Sequence, residues 1–502
     1  MSDPLERLAE HAHESRVIVA GGGVSGLVAA LECAKVGMQV TVLEASGVFG
    51  GVVRSAEVGG LTLDVGAESY ATRGGAVREL LDELGLADEI VAPNRAGAWV
   101  AGVPGVGAAP LPKGGILGIP DNPWAPDVRR VIGWAGAWRA YVDRVRPPLT
   151  IGHERSLGAL VRSRMGARVL DRLVAPVTSG VYSARPDDID VDLAAPGLNA
   201  ALTRMGSLGG AVAELRAARS TGTPSDAPAS DVPPTVAAPR AAAPGGAVEG
   251  IAGGMWRLVE ALVARLRDLG VELRTDVAVE ELTPAGSGWS VRTSADESPL
   301  SADAVIVALP ERQARALLRP VVPALDTAEP AAPVVEVVTL VVHAPALDAA
   351  PRGTGVLTVP GSHVAKALTH STVKWEWVRD ATEPGIHVIR LSFGAQGEEP
   401  ATAALDDDAA GSLALSEAAA LLGVPLDRSA LRASHRVRYV QSQPGAAMGR
   451  AAQTAAARGA VRAVRGLGAT GAWLSGTGLA QVIPDARAEA DRVRSATLWR
   501  RD

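Results

Sequence analysis

Three glycines, Gly21, Gly23 and Gly26, stand at G-x-G-x-x-G spacing directly after a β-branched run at 16–20. Glycines in that pattern can hold a diphosphate with backbone alone. Gly21 permits a tight turn, Gly23 lets the backbone approach a pyrophosphate, and Gly26 lets a helix starting near Val24 pack on the preceding strand. Gly22, Val24 and Ser25 belong to the same turn, and the first N–H groups of a helix have no intrahelical acceptor, so they offer an anion a cradle without any basic side chain. A second strand is expected at 38–43. It ends at Glu44, eighteen residues after Gly26 and followed by Ala45, the reach expected of an acid that binds ribose hydroxyls. The same carboxylate would repel a 2′-phosphate and so disfavours NADP.

These groups need a sheet to position them. At 502 residues, with 47% hydrophobic and 21% charged residues, the chain can bury two or more cores. Runs at 271–275, 277–282, 289–293 and 304–308 have the length and β-branched content of strands. Val279 is the expected backbone contact to an adenine ring, with Val277 one register away. The formal net charge of −6 argues against a nucleic-acid partner. Cys33, the single cysteine, excludes a disulfide within the chain, reads as a small core residue, and fits a reducing cytoplasm. No apolar run suggests a membrane span or an export signal. The eight histidines lack metal-ligand spacing, and His11 and His13 are expected in a mobile tail.

After the acid come Gly50-Gly51 with Arg54, then Gly66-Ala67-Glu68-Ser69. This resembles the FAD-dependent amine oxidase, carotenoid desaturase and protoporphyrinogen oxidase superfamily, where a second glycine pair and an arginine lie against the diphosphate. Pro176-Val177-Thr178-Ser179-Gly180-Val181-Tyr182, with the Leu111-Pro112-Lys113-Gly114 and Gly118-Ile119-Pro120 stretches, is similar to bacterial protoporphyrinogen and coproporphyrinogen oxidases. The series His363-Val364-Ala365-Lys366-Ala367, Lys374-Trp375 and Arg390-Leu391-Ser392-Phe393-Gly394 closely resembles actinobacterial coproporphyrinogen oxidases. The resemblance implies an α/β fold: a doubly wound Rossmann-type FAD-binding domain with an interleaved α+β substrate-binding lobe. It divides the chain into an N-terminal tail (1–15), FAD-domain segments (16–95, 248–312, 437–502) and substrate-lobe segments (96–219, 313–436). Residues 220–247 hold six prolines and no Leu, Ile or aromatic residue, and are expected to be a disordered insertion.

The resemblance makes residues 304–308 the closing strand of the FAD domain. It weakens after residue 437. Tyr439 stands where the family has tryptophan, and Gln443-Pro444-Gly445-Ala446 replaces a Pro-Gln-Tyr region. The last motif, in which a helix start points N–H groups at the flavin's pyrimidine edge, corresponds to Gly476 through Gln481, Val482, Ile483 and Asp485, with the Gly-x-Gly expected to be lost. Elsewhere, Trp124, Trp134, Trp138 and Tyr141 gather within a chain only 3% aromatic. They read as helix–helix core, as a wall of an apolar substrate pocket, or as a patch that rests on a membrane. Arg162, Arg164, Arg168 and Arg172 read as a solvated face.

The activity implied is oxidation of coproporphyrinogen III to coproporphyrin III in haem biosynthesis, in three two-electron cycles on non-covalent FAD, with oxygen as acceptor and hydrogen peroxide released. Contact with other haem-pathway enzymes is a further expectation. Lys366, Lys374 and Arg185 are candidates for the substrate's propionates, and no residue stands out as a base. Three other readings stay open: a protoporphyrinogen oxidase or other flavin oxidase, a degenerate paralogue that carries flavin or porphyrin, and an NAD dehydrogenase.

Overall fold

The run Arg16–Ala20 is apolar on both faces after its first residue, and in the computed structural model it is the middle strand of a five-stranded parallel sheet. The structure describes residues 10–146, 155–221, 248–327, 332–440 and 447–499. In this sheet the strands run in the order Glu272–Arg274, Gln39–Leu43, Arg16–Ala20, Ala304–Val307, Leu467–Ala469. Parallel strands buried on both faces need helices on both sides. Here Val24–Ala34, Trp256–Asp268 and Leu479–Leu498 pack in one core on one side. The opposite side is closed by Glu311–Leu318, Arg450–Arg462 and the antiparallel strands Val279–Ala285 and Gly288–Thr293.

Two sequence expectations change in this sheet. Residues 304–308 lie inside it, and the edge beyond them is Leu467–Ala469, too short and glycine-broken to read from its pattern. Residues 10–14 are a helical turn with Ala12 buried and His11 Nε2 at 3.3 Å from the Thr497 carbonyl, so this part of the tail is tied down.

A second, seven-stranded sheet runs Leu431–Val440, Val334–His343, Ile386–Phe393, Ala365–His370, Gly355–Thr358, Ala98–Val103, Gly107–Pro110. Helix Asp407–Leu422 covers one face with Ala414, Leu415, Ala418 and Leu421. Tyr439 pairs with Val335 inside this sheet, so the chain crosses back to the nucleotide sheet after Val440 rather than at residue 437. Residues 441–446, including Gln443 to Ala446, lie outside the described residues, as do residues 222–247 of the expected insertion.

The helical lobe packs Pro126–Tyr141, Leu157–Arg164, Ala175–Tyr182, Leu198–Met205 and Leu208–Thr221 around their own core. Its arginines are not one solvated face. Arg162 and Arg168 are exposed, but Arg164 is buried on Asp143, and Arg172 donates to the Val131 carbonyl at 3.1 Å. The aromatic group is not core either. Gly133, with φ +72, breaks the helix, and Trp134 and Trp138 stand 70% and 63% exposed around the half-buried Trp124. Arg129 stacks on Trp134 at 4.2 Å. An open cleft of about 740 Å³ beside them is lined by Lys113, Asp121, Trp124, Tyr141, Arg144 and Arg216.

Candidate active site

The glycine turn is built as its spacing demands. A Cβ on Gly26 would sit 1.9 Å from the Gly21 carbonyl oxygen, and one on Gly21 would sit 2.5 Å from that of Ala308. At Gly23 a Cβ would meet nothing within 4 Å. Gly23 is also the N-cap of Val24–Ala34, which has no side-chain cap and no acid in its first turn. Open space above an uncapped helix start is a cradle that fits a diphosphate. Gly50 donates its N–H to the Gly22 carbonyl (2.8 Å), Gly51 lies against Gly23, and Arg54 Nε donates to the Gly51 carbonyl (3.1 Å). The second glycine pair therefore forms the other wall of the cradle.

Glu44 ends its strand beside this turn. One oxygen accepts the Gly22 N–H (2.8 Å), and the other accepts the Ser46 N–H (2.8 Å) and hydroxyl (2.7 Å). Lone pairs remain for hydroxyl donors. Ala45 is exposed next to it, and Val277 donates its N–H to the Glu44 carbonyl (2.9 Å), two residues before Val279 opens its strand. All of these lie at the carboxyl ends of parallel strands, where α/β sheets bind nucleotides.

The segment from Gly66 to Ser69 joins this sheet to the seven-stranded one. Ala67 donates its N–H to the Val52 carbonyl (2.9 Å). Glu68 accepts from Lys374 Nζ at 2.5 Å and Arg390 Nη1 at 2.8 Å, and Arg390 Nη2 donates to the Gly66 carbonyl at 2.5 Å. Burial alone would raise the Glu68 carboxyl, but Lys374 and Arg390 outweigh it and hold it down at about 2. Tyr439 reaches in from the large sheet. Among the described residues its buried hydroxyl has no partner; it lies 2.9 Å from where a Cβ on Gly66 would be, and burial pushes the phenol up.

The last helix opens differently from the sequence expectation. Gly476 and Gly478 both have positive φ, so a Gly-x-Gly is present, and Gly478 is the N-cap of Leu479–Leu498 with no side-chain cap. The N–H groups of Gln481 and Val482 both return to the Gly478 carbonyl (3.0 and 3.1 Å). Among the described residues the N–H groups of this first turn left without an acceptor are those of Leu479 and Ala480, not those of Gln481, Val482 or Ile483. The Gln481 side chain folds over Gly476, and Ser25 lies beside the Gly471 end of the same segment.

The three basic candidates separate. Lys374 is committed to Glu68, and Arg185 stands 73% exposed beside Asp188. Lys366 is half-buried, with its ammonium 2.5 Å from the Ser183 hydroxyl. Arg390 and Asp64 were missed. A charge inside the apolar strand Ile386–Phe393 was the available signal for Arg390. Asp64 is buried and accepts the N–H groups of Met255 (2.8 Å) and Trp256 (3.3 Å), which caps Trp256–Asp268 from another part of the chain. Burial raises its carboxyl to about 6. Among the described residues no group of three His, Cys, Asp or Glu is placed to hold a metal ion, and no helix is long and apolar enough to cross a membrane.

The chain belongs to the flavin containing amine oxidoreductase family, which matches residues 24–494, and is an FAD-dependent oxidoreductase; a cradle that fits a diphosphate, joined through a charge cluster to a large mixed sheet, accords with that class. Its curated relatives narrow the placement. The chain is 31% identical to the coproporphyrinogen III oxidase of Propionibacterium freudenreichii subsp. freudenreichii, covering 98% of this chain and 92% of that one. It is 30% identical to the coproporphyrinogen III oxidase of Mycobacterium tuberculosis (strain ATCC 25618 / H37Rv), with 92% and 93% covered. A crystal structure from Exiguobacterium sp. 255-15 shares the fold with a TM-score of 0.78 at 22% identity, covering 96% of this chain and 99% of that one.

Proposed function

We propose that this protein oxidises coproporphyrinogen III to coproporphyrin III in haem biosynthesis, using non-covalently bound FAD and oxygen. The observation that carries the reading is the 30–31% identity, along nearly the whole chain, to two coproporphyrinogen III oxidases. When bound, FAD supplies a two-electron acceptor for hydride from the substrate. Six electrons leave the macrocycle in three such oxidations, which consume three oxygen molecules and yield three of hydrogen peroxide.

The chain's own residues bind and orient. Gly21, Gly22, Gly23, Val24, Ser25 and Gly26 hold the diphosphate from one side, and Gly50, Gly51 and Arg54 from the other. Glu44 with Ala45 takes the ribose, and Val279 borders the adenine. Gly66, Ala67, Glu68, Ser69 and Tyr439 would border the ring system. The uncapped start of Leu479–Leu498 behind Gly476 would hold the flavin's pyrimidine edge, where helix-end N–H groups would favour negative charge. The paired cations Lys374 and Arg390 fix Glu68 and thereby the loop against the substrate sheet.

The test is porphyrin fluorescence during aerobic incubation of the FAD-loaded protein with coproporphyrinogen III, beside a no-enzyme control and protoporphyrinogen IX. A FAD-dependent rise on coproporphyrinogen well above the control is expected. No rise with flavin bound would sink the proposal.

A further inference from the structure

Lys366, a half-buried lysine, differs from the cations that are paired in and around the charge clusters of the interior. Arg390 and Lys374 have Glu68, Arg315 and Arg450 have Glu311, and Arg164 has Asp143. Among the described residues Lys366 has no carboxylate partner; its ammonium meets the neutral Ser183 hydroxyl. An ammonium partly withdrawn from water without a counter-ion is costly, and an anion from outside the chain would offset that cost.

Two backbone irregularities aim this side chain. The register between Ala365–His370 and Ile386–Phe393 shifts at a bulge between Ala365 and Ala367, and the Thr358 hydroxyl pins the bulge through the carbonyls of Ala365 and Lys366 (both 3.0 Å). Ala365 and Leu368 belong to the core under Asp407–Leu422, whereas Ala367 and Thr369 pair with Ser392 and Arg390 on the opposite face. The extra residue puts Lys366 on that opposite face, from which Arg390 reaches Glu68. Opposite it, helix Ala175–Tyr182 ends at Ser183, a non-glycine residue at φ +50 whose carbonyl accepts the Gln396 N–H at 2.8 Å. Left-handed backbone at a serine that holds a half-buried cation is strain of the kind concentrated at binding sites.

We infer that Lys366, set by Ser183 and the bulge, is a specificity-determining residue that takes a carboxylate arm of the substrate and selects a macrocycle with four such arms over one with two. The inference rests on the proposed porphyrinogen reading. Lys366 lies three residues along its strand from the register position of Arg390, roughly 10 Å at strand rise, on the face that meets the Gly66–Ser69 segment. Coproporphyrinogen III carries a propionate on each pyrrole, and protoporphyrinogen IX has vinyl groups in place of two of them. A vinyl group at Lys366 would leave the ammonium unpaired. Burial lowers that ammonium to about 8, so at neutral pH it is still charged when a carboxylate arrives.

The test uses FAD-loaded wild type, K366M and K366R, with flavin absorbance as the measure of an intact fold. Dissociation constants for coproporphyrin III and protoporphyrin IX, read by fluorescence, accompany kcat and KM on both porphyrinogens. In K366M the affinity for coproporphyrin falls roughly 10- to 100-fold, the range of one charge-assisted hydrogen bond. Protoporphyrin binding changes less than about threefold, and K366R recovers part of the loss. Equal losses on both porphyrins, or none on either, overturn the inference. If K366M fails to keep flavin, K366R decides. It carries the charge on a longer, planar head, so it must shift the coproporphyrin-to-protoporphyrin ratio; an unchanged ratio overturns the inference. A wild type that oxidises neither porphyrinogen refutes the proposed function instead.

Discussion

Arg390 and Lys374 illustrate how much of this site depends on single side chains. Glu68 is 15% exposed and shared between them, so Arg390→Met leaves a buried carboxylate with one partner. Breaking such a pair costs about 3 kcal/mol, which urea unfolding of the variant against wild type would show. The sign of the pH dependence follows from the direction of the shift. Glu68 is held below its ordinary value, so its contribution is complete above about 4.5 and is lost as pH falls towards about 2. Asp64 behaves oppositely. Its carboxyl is raised to about 6, so its contribution is fully present below about 4 and is lost as pH rises through 6. Asp64→Asn should flatten the stability profile between about 4 and 6, whereas Asp64→Ala also removes the cap of Trp256–Asp268 and costs about 1–2 kcal/mol at every pH. Thermal melts across that range separate the two variants.

Among the elements, the glycine turn makes the sharpest prediction because its glycines serve different purposes. Gly26 meets the Gly21 backbone, so Gly26→Ala should destabilise the apoprotein itself. Gly23 has φ −69 and open space at its Cβ position, so Gly23→Ala should melt like wild type yet bind FAD at least about tenfold more weakly, because the methyl group occupies the diphosphate's approach. Flavin-fluorescence titration of the apoprotein reads the second quantity. A Gly23→Ala variant that binds FAD normally would remove the diphosphate from this turn. The start of Leu479–Leu498 was legible only in part. The sequence located Gly476, but which N–H groups stay free depends on the positive φ at Gly478 and on where the first helical hydrogen bonds close.

For the whole molecule, the exposed aromatics matter most. Trp134, Trp138 and Tyr141, interleaved with Arg129 and Arg144, form a basic aromatic surface on a chain of net charge −6. Amphipathic rings beside arginines suit the headgroup region of an anionic bilayer. Co-sedimentation with phosphatidylglycerol vesicles should exceed that with phosphatidylcholine vesicles, weaken with salt, and drop in Trp134→Ala/Trp138→Ala. Equal recovery with both lipids, or no effect of the double substitution, would assign the patch elsewhere.

The sequence alone determined what is local. The turn at Gly21, Gly23 and Gly26, the acid at Glu44, the glycine pair at 50–51 and the strand periods are written within a few dozen residues, because backbone conformation there is set by the residues themselves. Tertiary structure alone decided what depends on meeting across the chain. Glu68 meets Arg390 at a separation of 322 residues, Asp64 caps a helix 191 residues away, and Lys366 finds Ser183 at a distance of 183. Each pairs a charge or polar group with a partner that no spacing rule connects to it. The same holds for Trp134 and Trp138: composition marked them as apolar, and only the break at Gly133 turned them to the surface.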